Sequence, residues 1–247
     1  LPARGHYWGV GRVTTPPTET TAGVRTYTCQ IYGCNATRTE EIPKLAPQVP
    51  VSERFDDVDP NGWACEDIQY CVDHDLMNGI GNREFAPKMV MTRAQMVQVL
   101  YNIVGEPAVT GETTFTDLTA NWYQNAVLWA YQTGVASGMS ETTFAPDDPV
   151  TREQVTVFLA EFADRVLDKY TPYMWDALFP FQDRESISYY ARTAMNWACN
   201  LGLIKGIPGP GGLRLEPQSY ATREQMAVIL AQFCRELNVW NEPIPEL

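Results

Sequence analysis

The sequence predicts a mainly α-helical chain built from three helix–loop–helix repeats, with a small β-like segment in front of them. Three observations carry this. The first is self-similarity. Phe55-Asp56-Asp57-Val58 recurs as Phe115-Thr116-Asp117-Leu118 and as Phe181-Gln182-Asp183-Arg184. Phe85-Ala86-Pro87 recurs as Phe144-Ala145-Pro146 and, more loosely, as Leu215-Glu216-Pro217. Thr92-Arg93-Ala94-Gln95 recurs as Thr151-Arg152-Glu153-Gln154 and Thr222-Arg223-Glu224-Gln225, and each Arg lies six residues after its Pro. The second is an apolar stripe of helical period in every copy. The third is a Thr- and Pro-rich composition confined to residues 1–54. A repeat of roughly 60–70 residues is a supersecondary unit that needs its neighbours to bury its faces. The expected organisation is therefore 1–54, a hairpin-like module and linker; 55–110, repeat 1; 111–172, repeat 2; and 173–247, repeat 3 with a C-terminal tail.

Taken in order, the first segment has short β-like runs such as Val24-Arg25-Thr26-Tyr27-Thr28, then a linker through Pro43, Pro47 and Pro50. Each repeat opens on a loop containing an Asp. A helix follows, with Ile68, Cys71 and Val72 inward in copy one, Ala126, Val127 and Ala130 in copy two, and Ala194, Trp197 and Ala198 in copy three. It ends at a Gly-rich turn, Gly134 to Gly138 or Gly202 to Gly206, because glycine takes the left-handed conformation cheaply. Copy one has Asp75 at that position, which predicts a weaker cap. The second helix begins at the Thr, with core faces Met96/Val99/Leu100/Ile103, Val155/Phe158/Leu159/Phe162 and Met226/Ile229/Leu230/Phe233.

Composition excludes several classes. The chain has 247 residues with a formal net charge of −12 and 45% apolar residues, so it suits a folded domain and not a disordered one. Residues 1–54 balance at +2 and residues 55–247 at −14. A nucleic-acid binder needs a basic face, and none is predicted. No apolar run approaches the length of a membrane span. A start at Leu1, with no hydrophobic signal segment, is expected of a fragment or a processed form. His6 and His74 join no nucleophile–base set, and no phosphate- or dinucleotide-binding glycine pattern occurs. No cofactor is implied and no acidic pair marks a hydrolase.

The Thr-Arg-x-Gln motif carries the chemistry. Thr and Gln at that spacing form a capping box and need no further role. Arg at the first helical position is disfavoured by the helix dipole, and the same cost taken three times points to a use. Two uses fit Arg93, Arg152 and Arg223. One is an anion site of guanidinium and free helix amides; the other is an internal ion pair to Asp57, Asp117 or Asp183. Trp63, Trp122 and Tyr190 suit either walls for a sugar ring or anchors of the first helix. Asp57-Val58-Asp59-Pro60-Asn61-Gly62 imitates a calcium loop, but Ile68 stands where a bidentate Glu is required, so it reads as a turn and helix start. Cys29 and Cys34 have four residues between them; zinc would need a second close pair, and a local disulfide or two reduced thiols remain open. Cys199 and Cys234, on apolar faces, read as buried free thiols. No metal ligand set is expected.

Phe-x-Asp, Trp, Gly-x-x-x-Gly, Phe-x-Pro and Thr-Arg-x-Gln, in order and in triplicate over residues 55–237, resemble a tandem of S-layer homology repeats. The resemblance implies a spindle with pseudo-threefold symmetry around a helical bundle. It implies a bacterial, Gram-positive type of cell surface and attachment as part of a longer surface protein. The activity implied is non-covalent binding of a secondary cell wall polysaccharide, often pyruvylated and anionic, in grooves between repeats, by a module that is not an enzyme. The family's Arg falls on Arg93, Arg152 and Arg223; its Asp and aromatic fall on Asp57 and Trp63 and on Asp117 and Trp122, with Asp183 in copy three. Gln replaces the family's final Glu in all copies. Copy three offers Tyr189 or Tyr190 in place of Trp and has a longer Gly/Pro-rich loop, so its groove is expected to be altered. The alternative is a structural assembly module that packs laterally.

Overall fold

The computed structural model describes residues 6–9, 11–18, 20–44, 49–172 and 175–240. Leu1, the linker residue Pro47 and the tail from residue 241 lie outside the described residues. The chain divides into two compact units, Leu1–Pro50 and Val51–Leu247.

The first unit is an antiparallel sheet of three strands, β1 (Arg12–Thr15), β2 (Gly23–Thr28) and β3 (Thr37–Ile42), in the order β1-β2-β3. Thr, Val and Tyr fit such a half-exposed pleated surface. The β2–β3 register runs unbroken from Gly23 opposite Ile42 to Thr28 opposite Thr37. Beyond β2, Trp8 bridges Cys29, and the Cys34 amide donates to the Ile31 carbonyl at 2.9 Å to close a turn. Gly33 in that turn has φ 78°, a left-handed angle that suits glycine. Among the described residues of this unit only Gly23 and Cys29 are buried.

The second unit opens with α1 (Val51–Arg54). Repeat 1 contains α2 (Cys65–Asp73) and α3 (Arg93–Ile103), repeat 2 α4 (Gln124–Thr133) and α5 (Arg152–Arg165), and repeat 3 α6 (Arg192–Asn200) and α7 (Arg223–Glu236). The long loop of repeat 3 folds into a hairpin, β4 (Ile207–Gly209) with β5 (Gly212–Arg214). The capping boxes form at all three second helices: Thr92, Thr151 and Thr222 each accept the Gln amide, and the Gln side chain accepts the Thr amide in return. Gly134 and Gly202 end their helices at φ 75° and 71°, and Asp75 adopts φ 55° in the same role, a conformation that costs a non-glycine residue about 1–2 kcal/mol. The twelve core-face residues named above for the second helices are all buried.

The packing between repeats is cyclic. α4 packs on α3, α6 on α5, and α2 on α7, so the first helix of each repeat lies against the second helix of the one before it. The residues just ahead of the capping Thr close a ring of hydrogen bonds. Val150 donates to Met91 (2.9 Å), Ala221 to Val150 (3.2 Å) and Met91 to Ala221 (3.0 Å). All three are buried, and the ring satisfies amides that would otherwise cost free energy.

The repeated Asp has a structural task within this frame. Asp57 accepts the amides of Phe85 and Ala86 (2.8 and 2.7 Å), Asp117 those of Phe144 and Ala145 (3.0 and 2.7 Å), and Asp183 those of Leu215 and Glu216 (both 2.8 Å). Ala86, Ala145 and Glu216 are held at φ 56°, 59° and 50°. Each carboxylate thus supplies two charge-assisted hydrogen bonds that offset the strain of one left-handed residue. Both oxygens of Asp57 point at backbone amides, as a turn requires and a calcium ligand does not.

Candidate ligand grooves at the repeat junctions

Arg93, Arg152 and Arg223 are buried at the starts of α3, α5 and α7, and each reaches into the next repeat of the cycle. Their Nε atoms donate to the carbonyls of Phe144 (3.0 Å), Leu215 (2.8 Å) and Phe85 (2.8 Å). These are the residues whose amides the Asp carboxylates hold. Arg and Asp therefore grip the two sides of one loop residue, with no direct ion pair from any of the three Arg among the described residues. The guanidinium of Arg93 also lies over the Phe144 ring at 4.8 Å, and that of Arg223 over Phe85 at 4.7 Å. Burial pushes all three Arg down from the usual guanidinium range, against the raising influence of Asp148 on Arg93, Glu216 on Arg152 and Asp57 on Arg223.

The helix amides expected to converge on an anion are occupied, which corrects that part of the sequence reading. The amides of Arg93, Arg152 and Arg223 donate to Asp148, Ser219 and Met89 carbonyls. Those of Ala94, Glu153 and Glu224 donate to Pro146, Pro217 and Pro87. With the third amide taken by the capping Thr, no free donor remains at N1 to N3 of these helices. The physical reason is that the Phe-x-Pro loop of the next repeat docks on the helix end and uses it. Ligand chemistry at these junctions belongs to side chains.

Two cavities adjoin these junctions. One of about 600 Å³ is lined by Arg93, by Gly134 to Met139 after α4, by Gln154, Phe158, Glu161 and Arg165 of α5, and by Tyr190. A second of about 440 Å³ is lined by Arg152, by Lys205 to Pro208 after α6, by Gln225, Val228 and Ile229 of α7, and by Trp63. Each cavity draws its Arg from one repeat, its loop and helix from the next and its aromatic ring from the third. Trp63, 63% exposed, therefore serves Arg152 and not the Arg of its own repeat. Trp122 is half exposed and meets Tyr123 edge-on at 4.9 Å.

The two cavities differ in charge. Ser137, Lys205 and Asn78 occupy the same position in the three post-helix loops. Arg93 Nη2 donates to the Ser137 carbonyl (3.0 Å) and Arg223 Nη2 to that of Asn78 (2.6 Å). Among the described residues the Arg152 side chain makes its Nε bond and no counterpart of the Nη2 bond, and it lines a cavity together with the exposed Lys205. Among the described residues that lining contains two cations and no carboxylate, with Glu216 and Asp183 acting on Arg152 from outside it. In the first cavity Arg165 is paired with Glu161, so its positive charge is largely neutralised.

Sequence reasoning left Tyr189 and Tyr190 as alternatives. Tyr190 lines the Arg93 cavity, while Tyr189 is 97% exposed. The Tyr190 hydroxyl donates to Glu153 at 2.9 Å, and Glu153 also accepts the Ser188 amide at 3.0 Å. Burial and this carboxylate push the Tyr190 phenol up to about 12. Glu153 was not singled out, although a buried acid at the second position of a helix is otherwise unexpected. Asp183 differs from its counterparts in having Arg214 of the hairpin 3.8 Å away.

Comparison with known proteins agrees with this organisation. Residues 54–97, 114–156 and 180–227 match the S-layer homology domain. The chain is 26% identical over 204 residues to the surface-layer 125 kDa protein of Lysinibacillus sphaericus, covering 82% of this chain and 17% of that protein. It is 29% identical over 184 residues to exoglucanase XynX of Acetivibrio thermocellus, covering 72% and 16%. It is 28% identical over 179 residues to an amylopullulanase of Thermoanaerobacterium thermosulfurigenes, covering 71% and 9%. The chain thus spans less than a fifth of the length of each of these relatives. With three matched repeats over more than half of its residues, the chain belongs to the S-layer homology family, whose repeats are anchoring modules of the bacterial cell wall surface.

Proposed function

We propose that the repeats bind an anionic secondary cell wall polysaccharide, with the cavity of Arg152, Lys205 and Trp63 as the principal site. The observation that carries this is the pairing of two cations without a carboxylate, in a chain of net charge −12, beside an exposed aromatic ring. A carboxylate such as that of a pyruvate ketal suits the planar donor fork of Arg152, and the ammonium of Lys205 adds a second charge. The Trp63 indole offers an apolar face to the C–H side of a sugar ring. Arg93 with Tyr190 forms a second, less cationic groove. The three repeats are arranged as a pseudo-threefold spindle, a reading supported by the cyclic hydrogen bonds among Met91, Val150 and Ala221. The module anchors a longer protein and is not itself an enzyme.

Co-sedimentation with purified cell-wall sacculi, before and after removal of the secondary polymer, tests this. Lys205→Ala and Trp63→Ala are both exposed changes, and each should weaken binding about tenfold or more with Tm unchanged, as loss of a charge-assisted contact or a stacked ring predicts. Arg152→Ala should lose binding and also stability, because the Leu215 carbonyl loses its donor. Binding that survives polymer removal, or that is indifferent to Lys205 and Trp63, refutes the assignment.

A further inference from the structure

The first unit has almost no core, yet it brings three soft ligand atoms together. His6, Cys29 and Cys34 each offer one donor atom, and these atoms lie within 4.8 Å of one another. The Cys34 Sγ to His6 Nδ1 distance is 3.4 Å. In tetrahedral zinc sites, Zn–S of about 2.3 Å and Zn–N of about 2.0 Å place neighbouring ligand atoms about 3.5–3.8 Å apart. The three atoms need only small shifts to reach that arrangement.

We propose that His6, Cys29 and Cys34 form a zinc(II) site that holds the N-terminal sheet together. Two features of the fold support it. The backbone converges on the site from both sides: Trp8 bridges Cys29, the Gln30 amide donates to the Tyr7 carbonyl at 2.7 Å, and the Ile31–Cys34 turn carries Cys34 back toward Cys29. Among its described residues the unit also has little buried surface, with Gly23 and Cys29 alone buried. Domains this small usually need a metal, a disulfide or a partner, and here β1 is exposed throughout and β3 nearly so. A Cys29–Cys34 disulfide would close only a short loop and would not use the His6 nitrogen that lies beside Cys34. A metal ion instead ties the segment containing His6 and Trp8 to the turn after β2. Two thiolates and an imidazole favour zinc over calcium or magnesium, which prefer oxygen. On binding, the two thiol protons pass to solvent, and water can complete the tetrahedron beside the exposed His6 ring.

The test uses the full chain, reduced and kept anaerobic, titrated with cobalt(II) and then zinc(II). One equivalent of cobalt should give tetrahedral d–d bands with thiolate charge-transfer absorption, and zinc should displace it. His6→Ala, an exposed change, should weaken cobalt binding by more than the roughly 10–100-fold typical of losing an outer-shell partner. Cys34→Ser should lower the charge-transfer intensity per bound cobalt by about half, since one of two thiolates remains. Zinc should also raise amide-exchange protection across residues 23–42 in the wild type and not in His6→Ala. Absence of tetrahedral bands in the reduced wild type overturns the proposal. So do bands that persist unchanged in a Cys29→Ser/Cys34→Ser double variant.

Discussion

Asp117 shows how one side chain shapes a repeat junction. Burial raises its carboxyl, but the Phe144 and Ala145 amides, helped by Arg93, outweigh that and hold it below the ordinary value of 3.8. A carboxyl depressed in the folded state contributes stability that is complete above its unfolded value and is lost as pH falls through the folded one. The denaturant midpoint of the full chain should therefore drop between roughly pH 5 and pH 2, and Asp117→Asn should flatten part of that acid limb while lowering stability at neutral pH. A titration of the midpoint against pH for both proteins checks this. At this scale the sequence was legible in kind and not in partner. The spacing of Thr92 and Gln95 dictates a local capping box, which the structure contains. The Arg93 contacts with Phe144 and Ser137 join residues 51 and 44 apart in sequence, and no local rule fixes such pairs.

At the scale of elements, each first loop and post-helix turn are matched by a phenylalanine seated on a glycine. A Cβ on Gly138 would meet the Phe115 ring and the Ser140 carbonyl, with the Thr143 carbonyl at 2.7 Å. Gly79 faces Phe55 and Gly206 faces Phe181 in the same way. Two of the three obstacles at Gly138 are backbone atoms, which cannot swing aside. Gly138→Ala should therefore cost about 1–3 kcal/mol, the range for overpacking, visible as a lowered Tm of the full chain. The Gly-x-x-x-Gly pattern announced the turn but not its partner ring. The helices were readable because their apolar period is local. The β4–β5 hairpin was read only as a longer loop, since Ile207-Pro208-Gly209 and Gly212-Leu213-Arg214 carry too few side chains to show a strand period. That hairpin supplies Ile207 and Pro208 to the lining of the Arg152 cavity, beside Lys205, whereas the sequence leads one to expect an altered groove in repeat 3 that loses its ligand.

For the whole second unit, cyclic packing makes the repeats interdependent. Without repeat 3, α2 loses α7, Arg152 loses the Leu215 carbonyl, and Met91 loses Ala221. A chain ending at residue 172 should then fail to unfold cooperatively, with little near-ultraviolet circular dichroism, whereas the second unit of the intact chain should show one sharp transition in denaturant. An open stack would lose only its last unit. The triplicated motif made the repeats legible, but a linear array and a closed one share the same motif. Contacts that return from repeat 3 to repeat 1 distinguish them, among them α7 on α2 and the hydrogen bonds from Arg223 to Phe85 and Asn78 across 138 and 145 residues.

Closure also decides where the polypeptide enters and leaves. The Val51 amide donates to Gln69, and the Trp240 indole donates to the Tyr70 hydroxyl at 2.9 Å, so both ends rest on adjacent residues of α2. One short helix, α2, thus carries contacts from both the first and the last described residues of the unit, so a change that frays α2 should loosen both at once. A permuted chain that joins residue 240 to residue 51 through a flexible linker and opens around Gly105 to Gly111 should re-form the same ring, because its closing contacts lie elsewhere.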